Sequence, residues 1–105
     1  MGLDVAIFDK DDQTLATKRI GNVEHVAFLR DLATVSLGSK SMVVSKMLYN
    51  GTHSGDSLAV ADLDQLSREL LLLEGAPEQE MKAFGRDMLE MVRIARQYER
   101  PLCFA

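Results

Sequence analysis

Hydrophobic and polar positions alternate along residues 3–8, LDVAIF, with Leu3, Val5 and Ile7 on one side and Asp4, Ala6 and Phe8 on the other. That two-residue period predicts a strand. DKDDQ then turns the chain, since Asp side chains bond nearby backbone amides more readily than they join a ladder. TLATKRI, 14–20, is read as a returning strand with Leu15 and Ile20 near its ends. From there the period lengthens. Asn22 is placed to cap a helix over 23–36, whose apolar stripe is Val26, Leu29, Leu32 and Ala33. Gly38 is free to take the left-handed conformation that closes helices.

SMVVSKMLY, 41–49, carries Val43, Val44 and Tyr49 and predicts a strand leading into the polar stretch YNGTHSGDS, 49–57. DLDQLSRELLLLEG, 62–75, has Leu63, Leu66, Leu70 and Leu73 at helical spacing, with Asp62 and Gln65 at the separation of a capping box and Gly75 as the stop. Ala76-Pro77-Glu78 opens a last helix over 77–99, with Pro77 at its first position. Its apolar face is Met81, Phe84, Met88, Met91, Ala95 and Tyr98. Pro101 forbids further helix, and PLCFA finishes as a strand. These elements predict an α+β fold in one domain, 1–105. Its small sheet has three to four strands (N-terminal strand, hairpin partner, middle strand, C-terminal strand), with three helices over one face.

Composition narrows the function classes. A chain of 105 residues with 47% hydrophobic and 27% charged content is suited to a single soluble core. No apolar run approaches the roughly 20 residues of a membrane helix, and MGLDVAIFDKDD has neither the basic start nor the unbroken apolar stretch of a signal peptide. A cytoplasmic protein is the expectation, with Asn50-Gly51-Thr52 a fortuitous sequon. A net charge of −4 argues against nucleic acid as a partner and is compatible with a basic protein. The single cysteine, Cys103, excludes an internal disulfide and a Cys-only zinc site.

Candidate chemistry centres on 49–57. His53 with Asp56 three residues on has the composition of a general base and its orienting carboxylate, but no motif supplies a nucleophile, and a solvated contact loop is the preferred reading. His53, Asp56 and Asp62 lack a metal-ligand spacing, and Gly51 and Gly55 lack the lysine and hydroxyl that close a phosphate loop. Neither a cofactor nor a metal is expected. His25 is read as an edge-of-core histidine bonded to a carbonyl, Cys103 as an apolar filler, and Met81, Met88 and Met91 as core. Asp9, Asp11 and Asp12 form a solvated turn that could also meet a basic surface and speed encounter.

MGLDVAIFD at the start, a glycine-led helix with FLRDL, a polar glycine loop, a capped LSREL helix and the ending RPLCFA together resemble a family of small bacterial immunity proteins that accompany polymorphic toxins. That resemblance implies binding rather than catalysis: a cognate toxin, such as a basic nuclease, neutralised by covering its active site. The contact residues are then expected among Tyr49, Asn50, His53, Asp56, Asp9, Asp11 and Asp12, with Tyr49 the main anchor because tyrosine is enriched at binding hot spots. Two other readings stay open: a small enzyme or ligand-binding domain using the 49–57 loop, and a self-associating module, with a homodimer through a strand edge or the methionine-rich helix.

Overall fold

The computed structural model describes residues 2–49 and 56–104. Among the described residues, four antiparallel strands form one sheet in the order β2-β1-β4-β3. They are β1 (Gly2–Phe8), β2 (Thr14–Asn22), β3 (Ser57–Leu58) and β4 (Leu102–Phe104), and the helices are α1 (Val23–Leu37), α2 (Leu63–Leu72) and α3 (Gln79–Gln97). The α+β class, the terminal strands in one sheet and the three main helices match the pattern of hydrophobic periods.

The alternation in β1 sets the layering. Leu3, Val5 and Ile7 are fully buried beneath the helices, together with Leu102 and Phe104 of β4. Cross-strand register places Asp4, Ala6, Thr17, Arg19, Cys103 and Ser57 on the opposite, open face. Ala6 is nevertheless buried, because Thr17 and Cys103 stand beside it on the two neighbouring strands. Cys103 is half-buried, and burial pushes its thiol pKa up, with the Arg100 charge acting in the opposite sense. A raised thiol is a poorer nucleophile at neutral pH, consistent with a filler.

β2 runs two residues beyond the expected 14–20, with bulges between Leu3 and Asp4 and between Ile7 and Phe8 of its partner. The Asn22 side chain accepts from the His25 amide at 2.8 Å and caps α1, while Gly38 closes that helix at φ 92°. His25 is exposed and lies against Phe28, ring centroids 6.1 Å apart. Its ring shows no hydrogen bond among the described residues, contrary to the carbonyl-bonded reading.

Several local expectations are corrected. Residues 43–47 form a single π-helical turn, not a strand, and the middle strand is Ser57–Leu58, at the far end of the polar stretch. Asp62 has helical dihedrals and makes no capping bond; the chain enters α2 through a 3-10 turn at Val60–Asp62, and Gln65 donates to Glu69 instead. Pro77 stands before the N-cap of α3, which is Glu78, so α3 is shorter at both ends than expected. Tyr98, read as core, is the exposed C-cap of α3. The helix is closed by the left-handed Glu99 at φ 53° and by the Arg100 amide donating to the Ala95 carbonyl.

The remaining stripes fall where periodicity put them. Leu63, Leu66, Leu70 and Leu73 are fully buried, and Met81, Met88, Met91 and Ala95 fill the core from α3. Gly85 of α3 packs against the C-terminal end of α2 and the turn after it: a Cβ there would lie 3.1 Å from Leu73 Cβ and 3.2 Å from the Leu70 carbonyl oxygen.

Candidate binding site

The path of the chain into the 50–55 loop is built by residues distant from it. The π-helical turn begins where α2 offers Glu69, a carboxylate only 8% exposed. Its oxygens accept from the Met42 amide at 3.0 Å and the Val43 amide at 2.9 Å. A carboxylate at the positive end of a turn satisfies orphan amides and interacts favourably with their dipoles. Ser41 adds to the turn, its hydroxyl accepting from the Val44 amide and its carbonyl from the Ser45 amide. The Leu48 amide then donates to the Val43 carbonyl and closes it. The β-branched pair Val43-Val44 is thereby held helical, with both side chains buried.

Leaving the turn, the chain meets Arg30 of α1. Its Nη1 donates to the Tyr49 carbonyl at 3.1 Å and lies 3.4 Å from that of Leu48. The Tyr49 ring stands 43% exposed, and its hydroxyl donates to Oδ2 of Asp56 on the far side of the loop. That bond, then desolvation and the Asp56 charge, raise the Tyr49 phenol above its usual value. The Asp56 backbone is fixed as well: its carbonyl accepts from the Phe104 amide at 2.9 Å, one residue before Ser57 pairs with Cys103. The two ends of the loop are thus joined side chain to side chain, beside a shallow hollow lined by Ser45, Lys46, Tyr49, Asp56 and Ser57. Asn50 and His53 lie outside the described residues.

Asp9, Asp11 and Asp12 are placed elsewhere. Asp9 Oδ1 accepts from the Asp11 and Gln13 amides, folding the β1–β2 turn on itself, and Asp12 occupies the left-handed region at φ 60°. This turn sits at the end of β4 where the Arg100 guanidinium bonds the Phe8 carbonyl, whereas Asp56 is at the other end, against Phe104. The structure therefore brings Tyr49 and Asp56 together and keeps the acidic turn apart from them.

Two residues that organise this region had no signal in the sequence. Glu69 lies within a leucine-rich helix, one residue off its apolar stripe, and Arg30 looks like any charged residue on the outside of α1. Only their distant backbone partners give them a role. Among the described residues, no group of three His, Cys, Asp or Glu side chains could hold a metal ion, and no helix is long and apolar enough to cross a membrane. In comparison with known proteins, the chain matches no family model, no curated protein and no solved structure.

Proposed function

We propose that the chain is a small protein-binding domain of the immunity type, which neutralises a cognate bacterial toxin by covering its active site. The observation that supports this reading best is the fixation of Tyr49. Arg30 holds its carbonyl and Asp56 holds its hydroxyl, while a large part of the ring stays open to solvent. Association is weakened by the entropy of ordering side chains, so an aromatic ordered beforehand costs less to dock. Asp56 beside it supplies negative charge for a basic partner such as a nuclease. The acidic turn at the other end of β4 acts on encounter rate rather than on the docked contact.

The test is neutralisation. The chain is co-expressed with a toxin from its own genomic neighbourhood, and growth is followed beside the affinity of the purified pair. The expected outcome is restored growth, with Tyr49→Ala weakening the complex by about 30-fold, the effect of losing a contact of about 2 kcal/mol. A purified chain that turns over a substrate, and loses that activity but not its fold in Asp56→Asn, would instead make it an enzyme.

A further inference from the structure

The chain carries four more acidic than basic residues, yet α3 gathers cations on one side. Lys82, Arg86, Arg93 and Arg96 recur at intervals of four, seven and three residues, with Leu89 midway between the two pairs. Spacings of this kind keep side chains on one helical face. At about 1.5 Å per residue the stripe runs roughly 21 Å. It looks onto the groove beside α2, where Ser67, Leu89, Val92, Arg93 and Arg96 line one hollow and Glu74, Lys82 and Arg86 line the next. Leu71, one turn beyond Ser67 on α2, is 52% exposed. Glu69 projects from the other flank of α2, so this groove is separate from Tyr49 and Asp56.

The stripe is only half neutralised. Arg96 pairs with Asp64 at 2.8 Å and Arg93 with Glu90, all four side chains at least half exposed. Lys82 and Arg86 form no ion pair among the described residues, although Glu74 lines the same hollow. Exposed pairs are weak and exchange readily for another carboxylate. Both arginines can therefore accept a new acidic partner along with the two free cations.

A second copy is a poor occupant. An isologous antiparallel pairing centred on Leu89 would set Lys82 and Arg86 of one chain against Arg96 and Arg93 of the other, like charge on like. Nucleic acid is a poorer match, because it brings phosphates but no apolar side chains for the exposed Leu71 and the partly buried Leu89. The remaining fit is acidic and amphipathic. We infer that the α2–α3 groove docks an acidic amphipathic helix of another protein, its apolar side chains on Leu89 and Leu71 and its carboxylates on Lys82, Arg86, Arg93 and Arg96. An amphipathic helix in a groove is a recurring recognition mode, with anchors at helical spacing.

The experiment uses a fluorescein-labelled peptide with Leu and Glu at helical spacing, titrated with the intact chain and followed by anisotropy. A scrambled peptide of the same composition and a single-stranded RNA of equal charge run alongside. The patterned peptide is expected to bind at least tenfold more tightly than the scramble and the RNA, less tightly as salt rises. The doubly reversed variant Lys82→Glu/Arg86→Glu, checked by thermal melting to be folded, is expected to lose at least tenfold in affinity. Equal binding of the scramble, tighter binding of the RNA, no binding at all, or a folded reversed variant with unchanged affinity overturns the proposal. So does sedimentation showing that the chain dimerises through this face in competition with the peptide.

Discussion

In the turn between β1 and β2, Asp9 supplies the bonds that fold residues 9–13, whereas the segment from Ser41 to Tyr49 takes its course from Glu69 on α2 and Arg30 on α1. The first conformation follows from neighbours within four residues. The second exists only once two helices have packed. An Asp-rich turn therefore keeps its shape wherever it is placed, while Val43-Val44 adopts whatever backbone its distant partners can satisfy. Intrinsic preference decides where nothing else touches the backbone and yields where something does.

The largest test of this contrast is Glu69→Ala. It leaves the Met42 and Val43 amides without their acceptor, the latter in a fully buried residue, and a cost of about 3 kcal/mol is expected. Urea unfolding measures it. A loss below about 0.5 kcal/mol would mean that the π-helical turn supports itself and that the contrast fails. A smaller effect is expected of Asp9→Ala, about 1 kcal/mol or less, because its two bonds are exposed and water replaces them in part. Amide hydrogen exchange should then speed up at Asp11 and Gln13 and stay unchanged at Val43.

The third test leaves global stability nearly untouched. The Tyr49 phenol is raised chiefly by its bond to Asp56, so the folded chain keeps that proton to higher pH than the unfolded chain does. The contact is accordingly whole below the ordinary phenol value of 10.0 and is lost as pH rises through the raised one. Ultraviolet titration of tyrosinate in a Tyr98→Phe background reads Tyr49 alone. Adding Asp56→Asn should bring its titration back toward the ordinary value, and no change would mean that the loop ends are not joined in solution.

The same contrast explains which parts of the molecule were legible from residues alone. Alternation in LDVAIF, the leucine stripe of α2 and the methionine stripe of α3 each record burial directly, so layers and helices could be read without partners. Asn22 and Gly38 were legible because capping is local. The strand expected at 41–49 failed because Glu69 fixes the Met42 and Val43 amides, and the capping box at Asp62 failed because the chain enters α2 through a 3-10 turn, with Gln65 bonded to Glu69. β3 was invisible because two residues carry no period, and they pair only after β4 is in place. Of the candidate contact residues, Tyr49 and Asp56 were singled out by composition. Their bond and the bracing by Arg30 are products of packing and leave no trace in the sequence.

The pairing of β1 with β4 also has a mechanical consequence. The strands are antiparallel neighbours, Val5 opposite Phe104, so the start of one and the end of the other leave the sheet on the same side. Force applied to the two ends would load this ladder one residue pair at a time, from Val5 and Phe104 inward, rather than shearing all its bonds together. Separating it would divide the sheet into a β2–β1 pair and a β4–β3 pair, the second still holding the Asp56 carbonyl to the Phe104 amide. A protein hung by its ends would thus give way at the centre of its sheet, opening like a zip while the α2–α3 pair was still packed.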